Sequence, residues 1–507
     1  MLLRKVSLSL LLIIICGMAL GALLTPNRLS YSMGEKPHSE EVVSTLDYSV
    51  YMPFVVDFSP YPSSLAVETL RDLGVYNQLT SRLMELNAGV VRLSDRLSWR
   101  ELQPNEGDPI NWSLLADFEN ELRLLKELGV KPVVVLNDSP YWATVYPSSC
   151  AAVREDKFPA YAAFIQQMVA HFKSDEFNVH DWELGNEPDV DPTLVPLDSV
   201  YGCWGDINDT YYGGRHYGKM LKFVAPYIRG EDPQAKIWFG GLVLAAPETT
   251  DPNLGKPELF LKGVLEEGAE DDFDILAFHG HTKYYGAMID AEAFLSGTWN
   301  AWGGGIVGKI KYLRDMLAAY DVQKPLALNE IGVGCDTDIY DYCNPPIPHF
   351  YNYQADMLLR IALRVINQNV DGFTWYTLEG PGWRYQGLLD GGYNPQKAFT
   401  VYRELNRQIP DADYIGPVDY VPVGYTIPPD GALPIEAYAF RKNGYKELHI
   451  LWAKDNLSWK VLIPVEQFVN ARKRVDDRIV TIDPGAPVDG NYELMVGFTP
   501  IFLTVAP

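Results

Sequence analysis

The sequence predicts an α/β protein, a (β/α)8 TIM barrel followed by a small C-terminal β-sandwich. Short apolar runs alternate with amphipathic helical stretches over roughly 360 residues, enough for eight strand–helix units with enlarged loops. Beyond residue 410 the helical texture stops, and short strands separated by Gly, Pro and Asp turns take over. The rival reading, a doubly wound open sheet, carries a Gly-rich phosphate loop after its first strand. The segment "VVDFSPYPSS" stands there instead.

The elements follow in order. Residues 1–24, "MLLRKVSLSLLLIIICGMALGALL", set Arg4 and Lys5 before a long apolar run that ends among Ala19, Gly21 and Ala22. That is the pattern of a signal peptide cleaved near Gly21 or, uncut, of an N-terminal membrane anchor. Residues 25–45 are polar and pattern-free and read as a tether. The barrel is assigned to 46–410. Its strands are predicted at 48–56, 89–93, 131–136, 180–186, 236–241, 273–278, 325–330 and 372–377. Between them, "WSLLADFENELRLLKELG" repeats Leu115, Phe118, Leu122 and Leu125 at helical spacing. The same period runs through "FPAYAAFIQQMVAHF", "YGKMLKFVAPYI", "GKIKYLRDMLAAY", "ADMLLRIALRVINQ" and "QKAFTVYRELNRQI". The sandwich, 411–507, is read from "EAYAFRKNG", "KELHILWAKD", "WKVLIPV", "RIVTID" and "YELMVGFTPIFLTVA".

Composition narrows the function. A formal charge of −24 repels phosphate backbones, which argues against a nucleic-acid partner and fits a neutral substrate. Past the leader, four cysteines remain: Cys150, Cys203, Cys335 and Cys343. An even count in an exported chain implies disulfides, with three possible pairings. Cys335 with Cys343 closes a short loop and leaves Cys150 with Cys203. No CxxC motif occurs. The "HGH" of His279 and His281 has no third ligand at sequence spacing, so neither a metal nor another cofactor is expected.

In such a barrel the carboxyl ends of the strands converge on one face, where active sites sit. Those ends carry Arg92, Asn186, Glu187, His279, His281, Glu330 and Trp375. Two glutamates on opposite sides of the mouth suit retaining glycoside cleavage. One protonates the leaving oxygen while the other, about 5–5.5 Å away, attacks the anomeric carbon. A serine hydrolase fails for want of a G-x-S-x-G turn.

Here the chain resembles glycoside hydrolase clan A. "GNEP" is similar to the clan's strand-four Asn–Glu pair, and "LALNEIG" resembles its nucleophile segment. "VRLSDRLSW" and "WYTLEG" resemble its strand-two and strand-eight segments. "WRELQPNEGDPINW" and "YGKMLKFVAPYIRGEDPQAKIWFGGL" look most like family 39, which includes β-xylosidases and α-L-iduronidases. The resemblance implies Glu187 as acid/base, Glu330 as nucleophile and Asn186 as donor to the sugar's 2-hydroxyl. It implies a sugar floor at Trp375. Where the family places a strand-six histidine and, two residues on, a tyrosine that steers the nucleophile, this chain has His279 and His281. Tyr284, Tyr285 or His281 is then left to steer it.

Arg92 is expected to pair with carboxylates, among them the structural Glu183, because an unpaired buried charge is untenable. Trp142 and Glu379 are further subsite candidates on the loops after strands three and eight. The expected protein is an exported or membrane-tethered retaining glycosidase acting on an oligo- or polysaccharide. The alternative is an inactive carbohydrate-binding or cell-surface scaffold on the same barrel.

Overall fold

The computed structural model describes residues 63–506, apart from 198, 200, 291–297, 411 and 443–445. The leader, the tether and the strand expected at 48–56 lie outside the described residues. Eight parallel strands close a barrel: β1 (Ser63–Thr69), β2 (Ala88–Ser98), β3 (Lys131–Asn137), β4 (Asp181–Asn186), β5 (Lys236–Leu242), β6 (Ile275–His279), β7 (Leu326–Ile331) and β8 (Gly372–Trp375). The barrel's first described strand is "SSLAVET". Glu68 interrupts its apolar run, while the longer, cleaner run upstream carries the stronger sequence signal.

Helices α1 (Asn77–Leu86), α2 (Ala116–Glu127), α3 (Phe158–Phe172), α4 (Gly214–Glu231), α5 (Phe260–Glu266), α6 (Gly305–Ala318), α7 (Pro348–Asn367) and α8 (Lys397–Gln408) follow the strands in turn. Six coincide with the predicted amphipathic stretches. The other two, α1 and α5, are short, and α5 spans seven residues around Gly263, too few to display a helical period. Leu79, Leu83 and Leu86 of α1 are buried at i, i+4 and i+7, so the apolar stripe packs on the barrel.

The C-terminal layer is antiparallel. Strands β9 (Ala412–Pro417), β10 (Ile435–Lys442), β11 (Lys446–Ala453), β12 (Trp459–Pro464), β13 (Phe468–Val475), β14 (Arg478–Thr481), β15 (Asn491–Val496) and β16 (Ile501–Val505) form it. Six build one sheet in the order β9-β10-β11-β16-β13-β14, and β12 pairs with β15 across from it. Leu451, Val461, Ala471, Leu494 and Leu503 fill the space between.

Ionic contacts join the sandwich to α7. Arg360 and Arg364 share Asp290, at 3.1 and 2.6 Å, and Arg364 also holds Glu436 at 2.6 Å. Arg474 reaches Asp356 at 2.8 Å. Among the described residues no helix is long and apolar enough to cross a membrane.

Two disulfides form, Cys150–Cys203 and Cys335–Cys343, with Cα separations of 4.9 and 5.3 Å. The first ties the loop after β3 to the loop after β4, and the second closes a turn after β7. Both lie on the face where the strands end.

Candidate active site

Building upward from the barrel floor, β2 turns Arg92 inward, where it is 1 % exposed. Its Nε and Nη2 donate to the two oxygens of Glu183 at 2.8 and 3.0 Å. Nη1 donates to Glu68 at 2.8 Å and to Glu330 at 3.0 Å, and Nη2 to Asn186 Oδ1 at 2.7 Å. One planar fork thus organises three carboxylates and an amide, a task its fixed donor geometry suits and a lysine's does not. The expected pairing with Glu183 is present. Glu183 also accepts from Asn329 Nδ2 at 2.9 Å and from the Gly241 amide at 3.1 Å, so its charge is fully satisfied.

Glu68 escaped the sequence reading because no predicted strand covers it. Burial pushes its carboxyl up from 4.5 to about 8, against the opposing pull of Arg92 and with the Glu330 charge adding to the rise. Glu68 therefore carries a proton at neutral pH, which limits the negative charge set around Arg92. A carboxyl with a raised folded-state pKa gives its full stability below the unfolded value. That stability declines as pH rises and levels off above about 8. The Glu68→Gln variant should lose less melting temperature than the parent between about pH 5 and pH 8. Parallel thermal melts across that range check it. Equal slopes would mean that Glu68 ionises normally.

At the end of β4 the backbone turns sharply. Gly185 has φ +95°, and Glu187 itself sits at φ +56°, a left-handed conformation that costs a non-glycine residue roughly 1–2 kcal/mol. The turn is held by the Glu187 amide donating to Gly241 O at 3.0 Å. It lifts Glu187 out of the strand's alternation to the mouth, where its side chain is 11 % exposed. Glu330, on β7, is similarly placed at 12 %.

His279 lies between them. Its Nδ1 is 2.8 Å from Glu187 Oε1 and 3.7 Å from Glu330 Oε2. The two carboxylate oxygens are therefore no farther apart than these two contacts laid end to end. Gly241 makes room for the ring: a Cβ there would lie 2.1 Å from His279 Nε2.

His281 reaches Glu330. Beyond the barrel rim, residues 282–283 pair with 333–334, so the two loops run side by side. This sets His281 Nε2 2.8 Å from Glu330 Oε1. The rings of Tyr376 and Trp383 close edge-on around the imidazole, at 5.7 and 5.2 Å.

Burial alone would push the Glu330 carboxyl up. The charge of His279, the hydrogen bond and charge of His281, and the charge of Arg92 outweigh it and hold Glu330 well below the usual carboxylate range. Burial pushes His279 down, but Glu330 and Glu187 together raise it above its ordinary value.

Four of the expected substrate contacts have partners within the protein. Tyr284 is fully buried, its hydroxyl 2.5 Å from His349 Nδ1, and it does not reach Glu330. Trp375 is also fully buried and donates its indole N–H to Gln386 O at 2.9 Å, so it underpins the site without offering a face to a sugar. Glu379 accepts from the Leu70 amide and from Thr377 Oγ1, bracing β1 against the loop after β8. Trp142 packs edge-on against Trp99 at 5.2 Å and donates to Gln103 O at 3.3 Å, which ties it to the frame of the loop after β3.

Tyr201 was missed. The residue is buried, and burial, with the charges of Glu187 and Glu330 adding to it, raises its phenol. It lies on a long irregular loop, where no periodicity marks it. The histidine pair, which has no third ligand at sequence spacing, gains one in the fold. In space, Glu330 stands beside His279 and His281, with one ligand atom of each within 4.8 Å of the others.

Comparison with known proteins places the fold. No family model matches the sequence, and no curated protein does either. Solved structures do match. One is a family 39 glycoside hydrolase from Bacteroides cellulosilyticus, with TM-score 0.62 and 15% identity over 88% of this chain and 81% of that one. A monomeric β-xylosidase from Caulobacter crescentus matches at TM-score 0.54 and 14% identity over 89% and 98%. A family 30 subfamily 8 xylanase from Clostridium acetobutylicum matches at 0.52 and 12% over 87% and 95%. The fold is the one these glycoside hydrolases share.

Proposed function

We propose that the protein is a retaining O-glycoside hydrolase, with Glu330 as nucleophile and Glu187 as general acid/base. The observation that carries this reading is the bridging His279. It holds the facing oxygens of the two carboxylates no farther apart than the lower edge of the roughly 6.5–9.5 Å that inverting enzymes need between their carboxyl groups for an intervening water.

Their environments divide the labour. Glu330, ringed by Arg92, His279 and His281, stays ionised and attacks the anomeric carbon. Glu187 delivers a proton to the leaving oxygen as the glycosyl ester forms on Glu330. It then takes a proton from the water that cleaves the ester, and Glu330 is released as a carboxylate. Arg92 fixes the Asn186 amide by holding its oxygen, which supports the amide N–H as donor to the 2-hydroxyl. His281 takes the steering role that the family gives to a tyrosine.

The substrate class is an oligo- or polysaccharide, and the xylan-active structural neighbours make xylosides the first to try. The signal-like leader and the two disulfides support an exported protein.

Removing the acid should leave a recognisable trace. Glu187→Ala should lower kcat on unactivated glycosides by about 10²–10⁴-fold. Aryl glycosides with good leaving groups should form the covalent intermediate more nearly normally, and added azide should restore turnover as a glycosyl azide. Steady-state rates across a leaving-group series check this, and equal losses on all substrates would remove Glu187 from the acid role. Proton NMR of the first-formed sugar tests the mechanism itself. Net retention supports double displacement, and inversion ends it. A chain that binds sugars but turns none over would be the inactive scaffold.

A further inference from the structure

We propose that the mouth of this site also binds a divalent transition-metal ion, zinc being the best match, through His279, His281 and the Glu330 carboxylate. One donor atom from each lies within 4.8 Å of the other two. Two imidazoles and a carboxylate are a donor set that zinc takes at about 2.0–2.2 Å. His281 Nε2 already stands 2.8 Å from Glu330 Oε1, and His279 Nδ1 3.7 Å from Oε2, so small side-chain shifts suffice to close on an ion. Glu187 Oε1, 2.8 Å from His279 Nδ1, is at hand as a fourth ligand. The side chains of Glu187, Glu330 and His281 are all partly open to solvent, which gives the ion a way in.

The remaining nitrogens define the kind of site. Among the described residues, His279 Nε2 and His281 Nδ1 have no hydrogen-bond partner. Each can carry the ring proton while the nitrogen facing the carboxylates coordinates. A ring protonated on both nitrogens gives one proton up to solvent. A resident metal centre anchors these far nitrogens on carboxylates or carbonyls, and this one does not. The site therefore fits a reversible, inhibitory ion. It also depends on the histidine at 281, since a tyrosine there could steer Glu330 by hydrogen bond but would break the pair of imidazoles. Only the consequence rests on the glycosidase reading: zinc on Glu330 occupies the attacking oxygen and halts hydrolysis until it is removed.

Equilibrium dialysis of the metal-stripped full chain against zinc, without substrate, tests the site, with the visible absorption of bound cobalt as a second readout. The expected result is saturable binding of one ion per chain, with Kd below about 100 µM. Both His281→Tyr and His279→Gln should weaken it by at least about tenfold, at unchanged circular dichroism. No saturable binding below about 1 mM, or equal affinity in both variants, overturns the site. Turnover that persists with zinc bound overturns the inhibitory consequence. Dialysis needs no catalysis, so a chain that binds zinc but cleaves no glycoside would remove the glycosidase reading and leave the metal site standing.

Discussion

The Glu330→Gln variant loses turnover by at least about four orders of magnitude in kcat, the scale seen when a covalent nucleophile is removed. An amide oxygen is a poor nucleophile, and glutamine cannot leave as a stabilised carboxylate when water attacks the ester. The fold is expected to persist. Glutamine keeps the volume and an acceptor for Arg92, which retains Glu183 and Glu68 as partners. Substrate binding is expected to survive, because Asn186 remains in place. The measurement is kcat on the best aryl glycoside, with a thermal melt alongside. A variant that keeps more than about a hundredth of parental kcat would show that Glu330 is not the nucleophile.

The largest stability effect falls on Arg92. Arg92→Met strips the counter-ion from Glu183 and Glu330 and the donor from Glu68, all three gathered within 3.0 Å of one guanidinium. Removing one partner of a buried ion pair costs on the order of 3–5 kcal/mol, because the other charge is left uncompensated. A fall in melting temperature of roughly 10 °C is expected. Arg92→Lys should recover only part of it, since an ammonium restores charge but not the fork that reaches Glu183 and Asn186 together. Thermal unfolding of the two variants beside the parent decides this. A melting temperature unchanged in Arg92→Met would mean that Glu183 and Glu330 take up protons without cost and that Arg92 does not organise the floor.

The sequence carried the barrel most clearly where its signals were local. The period of "FPAYAAFIQQMVAHF" coincides with α3, and the apolar strands ending in Asn186 and Glu330 lie where the hydrophobic runs placed them. Its failures share one cause. A residue whose role comes from distant partners looks wrong in its own segment. Glu68 breaks the apolar run of β1 and is tolerable there through partners such as Arg92, one strand away, whereas the run at 48–56 is cleaner. Tyr284 and Glu379 sit on the correct loops, but direction and burial depend on which neighbours reach them first: His349 for one, the Leu70 amide and Thr377 for the other. Trp375 sits at the predicted strand end, yet the carbonyl of Gln386 captures its indole from beneath. The missed third ligand of the histidine pair has the same origin. Glu330 is 49 positions from His281 in the chain and one strand away in the barrel.

The most direct measurement is mass analysis after incubation with 2-fluoro glycosides of xylose, glucose, galactose, arabinose and iduronic acid. The fluorine slows the second step and traps the glycosyl ester. An adduct of one sugar is expected, located by peptide mapping on the segment that holds Glu330, and the sugar that reacts names the substrate. An adduct carried by Glu187, or by any residue other than Glu330, would contradict it.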